Sequence, residues 1–161
     1  MLRFENRPVD DPVVQELLGA YFAERAAGFP ASQGAYSPTY PAPAQFVPPA
    51  GVFLVASDDD SPTAGCGGVR RVQRADDLLV RFEVKHLWVH PDSRGRGYGR
   101  LLLAELERRA RSLGAEFVVL DTNESLAAAG GLYRSTGYAE IEPYNANPNA
   151  THWYGKRLAA D

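Results

Sequence analysis

The segment from Glu83 to Leu103, EVKHLWVHPDSRGRGYGRLLL, constrains the fold more than any other stretch of the chain. Its first part reads as a strand that breaks at Pro91-Asp92. Gly95, Gly97 and Gly99 follow at every second position. Leu103, Leu106, Ala110 and Leu113 then mark one face of a helix ending at Gly114. Glu116–Leu120, EFVVL, is a short apolar run of the kind found in a strand covered on both faces. A strand, loop, helix and strand in this order form a right-handed crossover if the two strands are parallel neighbours. The alternating glycines allow a tight turn and leave main-chain N–H groups uncovered. Those groups lie at a helix N-terminus, where the helix dipole favours an anion. Arg94 and Arg96 add charged donors beside them. The loop is built to take a diphosphate.

Three phosphate loops compete for this pattern. A Walker loop ends in Gly-Lys-Ser/Thr, whereas Gly99 is followed by Arg100 and Leu101. A dinucleotide loop needs G-x-G-x-x-G and an acid about 20 residues later. Asp121 lies at a suitable distance, but the glycine spacing here is G-x-G-x-G, and three strands precede the loop. The third option is the pyrophosphate loop of acetyl-CoA enzymes.

The other elements fit around this unit. Leu2 and Phe4 alternate in a short strand. Asp11-Pro12 reads as an N-cap and first helical position, opening a helix of about 15 residues that stops near Gly28. Residues 51–57, 63–72 and 79–89 read as three strands. Residues 125–136 read as a helix stopped by Gly137. Tyr138–Glu142 and His152–Leu158 are the last strands. Residues 29–50 hold six prolines and are neither strand nor helix. Tyr36, Tyr40 and Phe46 favour an ordered wall there over a solvated loop.

At 161 residues the chain is expected to form one domain, spanning 1–161. A net charge of −3 argues against a nucleic-acid partner. No apolar run approaches the ~20 residues of a membrane span, and MLRFENRPVDD lacks the apolar core of a secretory signal. One cysteine excludes a disulfide framework and fits a reducing, cytoplasmic setting. No repeat or linker interrupts the chain.

Arg94-Gly95-Arg96-Gly97-Tyr98-Gly99 resembles the R/Q-x-x-G-x-G/A signature of the GNAT superfamily of N-acetyltransferases. The flanking E-x-K-x-L-x-V strand, His90-Pro91 and Leu101-Leu102 are similar too, and Leu132-Tyr133-Arg134-Ser135-Thr136-Gly137-Tyr138 looks like the family's L-Y-x-x-x-G-F/Y segment. The resemblance implies an α/β fold: a mixed, mostly antiparallel sheet of six to seven strands, helices on both faces, and a parallel strand pair splayed around the cofactor. It implies acetyl-CoA as cosubstrate, no metal, and an amine of a small molecule or peptide as acceptor. Leu87, Trp88 and Val89 would line the pantetheine arm through their backbones, with an N–H near Val89 polarising the thioester carbonyl. Main-chain N–H groups from Arg94 through Arg96, Tyr98 and Arg100 would take the diphosphate. Glu83 aligns with a catalytic base of some relatives, and Tyr133 with the general acid. Direct transfer in a ternary complex is expected. A non-catalytic acyl-CoA-binding module is the alternative.

Each of these residues also has an ordinary reading. Glu83 is a solvated strand residue or the partner of Lys85 or an arginine. Tyr133 is a core aromatic. Cys66, in GCGG without a neighbouring base, is structural. His86 and His90, four apart in a strand, lie ~13 Å from each other and cannot share an ion unless a bulge intervenes. Many relatives carry Asn at the position of Leu126, so either Asn123 supplies a substitute contact or the contact is absent. Gly130-Gly131 weakens its helix by about 1 kcal/mol per glycine and invites close packing on the cofactor's sulfur end. The acceptor walls are expected at 29–50 and at 143–151, which carries Tyr144, Asn145 and Asn147. The last strand, THWYGKRL, is a candidate homodimer edge.

Overall fold

A computed structural model describes residues 1–160. The strands are β1 (Arg3–Asn6), β2 (Gly51–Ser57), β3 (Gly65–Arg71), β4 (Arg81–Val89), β5 (Phe117–Thr122), β6 (Ala139–Glu140) and β7 (His152–Arg157). The helices are α1 (Pro12–Gly28), α2 (Tyr98–Ser112) and α3 (Ala127–Ser135). The strands form one sheet in the order β1-β2-β3-β4-β5-β7-β6. β4 and β5 pair parallel, and the other neighbours pair antiparallel.

Strand alternation divides the core between the two faces. Val52, Leu54 and Ala56 of β2 join Leu102, Leu103, Leu106 and Ala110 of α2 in one buried cluster. Phe53 and Val55 join Val14, Leu18 and Phe22 of α1 in the other. Helices therefore cover both faces. α1 begins as its sequence demands: the Asp11 carboxylate accepts from the Val13 N–H at 2.8 Å, with Pro12 at the first position. Gly114 and Gly137 follow α2 and α3 with φ of +95° and +93°, the left-handed geometry that ends a helix.

The proline-rich segment is ordered, with short 3₁₀ turns at Ala31–Gln33 and Pro43–Phe46. Phe46 is its anchor, packed where a Cβ on Gly68 would lie 2.6 Å from its ring. Asn149 fixes the middle of the segment, accepting from the Ser37 N–H at 3.1 Å and donating to its carbonyl at 2.6 Å.

Two irregularities position the site. The β4–β5 pairing runs only from Arg81↔Phe117 to Glu83↔Val119, although both strands continue. The β3–β4 register shifts between Cys66↔Trp88 and Gly68↔Lys85, placing an extra residue in β4. His86 sits in that bulge with φ of +57°. β7 lies between β5 and β6, pairing with β6 through Tyr154 and Gly155, so its outer edge is already partly occupied.

Candidate active site

Where β4 and β5 part, a cavity of about 900 Å³ opens. Its floor is the bulged part of β4, Val84–Val89. One arm reaches the glycine loop and the first turn of α2, with Ala127, Ala128, Ala129 and Leu132 of α3 opposite. The other reaches the end of α1 and the proline-rich wall, through Arg25, Phe29, Tyr36 and Thr39. Of the 29–50 segment, Phe29, Tyr36 and Thr39 line this cavity.

The loop has the geometry its glycines require. Gly95 and Gly97 have φ of +77° and +76° and open space at their Cβ positions. Gly97 precedes α2 without a side-chain cap, so the first N–H groups of that helix stay available to a ligand. Leu87, Trp88, Val89, Arg94, Gly95, Gly97, Tyr98, Gly99 and Arg100 all line the cavity. Arg96 does not. Its guanidinium is held by Asp58 at 3.4 Å and Asp60 at 3.2 Å. The Tyr98 hydroxyl also donates to Asp58, at 2.5 Å, so the β2–β3 turn braces the loop from behind. Arg94 is clamped by both oxygens of Glu24 at 2.8 Å and donates to the Val89 carbonyl at 3.0 Å. Glu24 also accepts from the Trp88 indole N–H. Arg100 reaches Ser135 at 2.9 Å.

Tyr133 lines the cavity. Its ring packs on Tyr138 and Tyr154, with centroids 5.8 and 6.0 Å away. Its hydroxyl makes no hydrogen bond to a described residue. Burial pushes its pKa up to about 12, so the phenol stays protonated at neutral pH.

Glu83 is 1% exposed and does not line the cavity. Arg70 donates to its Oε1 from Nε at 3.0 Å and Nη2 at 2.8 Å, and the Tyr144 hydroxyl donates to Oε2 at 2.6 Å. Two carboxylates do face the cavity: Glu24, clamped by Arg94, and Asp121, which accepts from Asn145 at 2.7 Å and lies 3.7 Å from Lys85. The sequence held one signal for Asp121, its place at the end of the strand after α2.

Asn123 is also absent from the cavity wall. Its amide donates to Gln33 Oε1 at 2.7 Å and to the Asn149 carbonyl at 3.0 Å, and its Oδ1 accepts from the Ser125 N–H at 3.0 Å. It ties the proline-rich wall to the entry of α3. Leu126 itself borders the cavity, whereas Gly130 borders a second, smaller cavity and Gly131 faces open space. The small residues presented to the main cavity are the alanines before the glycine pair.

The bulge at His86 does shorten β4, but the two histidines meet different neighbours. His86 packs against Tyr21, Phe22 and Phe46, and burial lowers its pKa to about 3, leaving it neutral. His90 packs on Trp88 and accepts from the Asp92 N–H at 3.2 Å. Cys66 is buried, its thiol donating to the His86 carbonyl at 3.6 Å, and burial raises its pKa to about 12. It is packing, not a nucleophile. Among the described residues no helix is long and apolar enough to cross a membrane.

A family model described as an acetyltransferase (GNAT) domain matches residues 49–140. An uncharacterized N-acetyltransferase of Schizosaccharomyces pombe is 38% identical over 104 residues, which is 65% of this chain and 61% of that protein. The match thus spans about three-fifths of that relative's length. Among solved structures, an acetyltransferase of the GNAT family from Staphylococcus aureus superposes with a TM-score of 0.76 at 15% identity, covering 99% of this chain and 100% of that one. A second, yncA from Salmonella typhimurium with its cofactor acetyl-CoA, superposes with a TM-score of 0.62 at 17% identity, covering 99% and 96%. At these identities the likeness is one of fold.

Proposed function

Because the chain belongs to the GNAT acetyltransferase family, we propose that it moves an acetyl group from acetyl-CoA to a primary amine of a small molecule or peptide, with both substrates bound together. One observation carries this reading: the uncapped start of α2, the unpaired edge of β4 and Tyr133 all face one cavity.

The residues fit the cosubstrate. Main-chain N–H groups from Arg94 to Arg100 cradle the diphosphate, aided by the dipole of α2. Arg94 leaves Glu24 for a phosphate oxygen or stays as a brace. Leu87, Trp88 and Val89 lie on the part of β4 that has no β5 partner, so main-chain groups on that edge can bond an extended pantetheine arm. A fixed N–H near Val89 stabilises charge developing on the thioester oxygen. Asn123 has no share in this binding, since all its polar atoms are engaged elsewhere.

Acetyl transfer forms a C–N bond and breaks a C–S bond. The amine, with an ordinary pKa near ~10, must first lose a proton. Glu83 takes it through the Tyr144 hydroxyl or a water, as it lacks direct access. Asp121 has the access and is the second candidate. Tyr133 protonates the departing thiolate. A thiol of pKa about 8.5 is already a fair leaving group, so positioning outweighs this step.

A melting screen against acetyl-CoA and NAD(P) tests the cofactor. Acetyl-CoA at ~100 times its dissociation constant should add about 2.7 kcal/mol, and NAD(P) nothing. Release of free CoA thiol across a panel of amines tests the transfer. Stabilisation without turnover by any amine would leave an acyl-CoA-binding module instead.

A further inference from the structure

Resting on that reading of the cleft, we propose that the acceptor is an amino acid with an apolar or aromatic side chain, whose carboxylate is held by Arg25. Whole-chain charge favours a cationic acceptor weakly, but the local charge in the acceptor arm points the other way. Besides Arg100 and the Arg94–Glu24 pair, the cavity carries three full charges: Arg25, Lys85 and Asp121. Lys85 and Asp121 face each other at 3.7 Å and offset one another. Arg25 is different. Among the described residues it has no carboxylate partner, and its guanidinium stacks 5.5 Å from the centre of the Tyr36 ring. The other arginines of the cleft are occupied, Arg94 by Glu24 and Arg100 by Ser135.

Arg25 is half-buried and faces the cavity in the last turn of α1. Its charge reaches Tyr133, where it opposes the effect of burial on the phenol. Arg25 and Tyr133 line the same cavity. In an α-amino acid the amine and carboxylate are separated by one carbon, so a carboxylate on Arg25 keeps the amine inside the same cavity. A guanidinium binds a carboxylate through two parallel hydrogen bonds, and a partly dry wall strengthens them. Tyr21, Phe29 and Tyr36 supply an aromatic lining for the side chain. The same cation, without a carboxylate partner among the described residues, repels polyamines and aminoglycosides, which would carry further positive charge into this arm.

Matched acceptors separate the contribution of the carboxylate from that of the body. Phenylalanine, phenylalaninamide and phenethylamine are compared by free CoA release, with leucine and methionine sets alongside. Each acid should exceed its amide in kcat/KM by roughly 10- to 100-fold, the range of a charge-assisted hydrogen bond. Arg25→Ala should collapse that ratio toward one, mainly through KM, and Arg25→Lys should restore part of it. The melting shift with acetyl-CoA should persist in both variants. If Arg25 serves only the C-terminal dipole of α1, acid and amide lose rate equally in Arg25→Ala, and the proposal fails. It fails as well if amides or plain amines are preferred, or if no acid is acetylated while acetyl-CoA still stabilises the protein. Absence of any acetyl-CoA shift in the wild type would instead refute the cofactor reading.

Discussion

Tyr133 and Tyr138 form a built-in control pair. Both are buried and their rings lie 5.8 Å apart, yet their hydroxyls meet opposite surroundings. Tyr138 donates to Glu107 at 2.9 Å, a carboxylate that also takes Lys156 at 2.9 Å. The Tyr133 hydroxyl has no hydrogen-bond partner among the described residues, and the residue faces the cleft. Removing a hydrogen bond to a charged group costs about 1.5–3 kcal/mol. Lys156 keeps Glu107 partly satisfied, so Tyr138→Phe should fall near about 1.5 kcal/mol. Tyr133→Phe removes no protein contact and should stay within about 0.5 kcal/mol of wild type. The rates should reverse this order. A general acid is worth 10²–10⁴ in typical cases. A thiolate that leaves unaided lowers that, so Tyr133→Phe should lose roughly 10- to 100-fold in kcat. Tyr138→Phe should keep kcat. Urea unfolding and CoA-release kinetics on both variants decide the matter. Destabilisation of Tyr133→Phe equal to that of Tyr138→Phe, with kcat unchanged, would refute the assignment of Tyr133 as acid and make it a core aromatic.

Glu83→Gln breaks an ion pair whose carboxylate is almost fully buried while Arg70 is 26% exposed, and should cost about 2–3 kcal/mol in urea unfolding. A drop in kcat beyond that of Asp121→Asn assigns the base to Glu83, and the reverse order assigns it to Asp121. Gly97→Ala meets no neighbour, so its penalty is the left-handed backbone alone, about 1–2 kcal/mol, read by melting temperature. The Asp58 carboxyl is held below its ordinary pKa, chiefly by the Tyr98 hydroxyl. A depressed folded pKa gives stability that is complete above the unfolded pKa near ~4 and lost as pH falls through the folded value. Acid titration of melting temperature should show that loss in wild type and a flatter profile in Asp58→Asn.

Much of this architecture was legible because the signals were local. Asp11-Pro12 starts α1, Gly114 and Gly137 stop α2 and α3, and three alternating glycines lead into α2. The arm of the cavity beside the glycine loop lies where that same signal placed it. What was not legible depends on which residues meet across the sheet. Arg25 is an unremarkable helix residue until the proline-rich wall folds against it. Glu83 reads as a free carboxylate until Arg70 and Tyr144 close over it. Asn123 reads as a spare amide for a ligand until Gln33, distant in sequence, claims it. The bulge at His86 has no glycine to announce it, because a histidine there accepts a positive φ.

The sheet's outer strands are brief, four residues in β1 and two in β6. A foreign strand gains few main-chain bonds on either rim, which guards the protein against runaway chain-on-chain stacking. The longer stretch of β4 without a β5 partner borders the cleft inside the sheet rather than its rim. The gap that makes the molecule useful is thus kept away from the surfaces where it would make the molecule sticky.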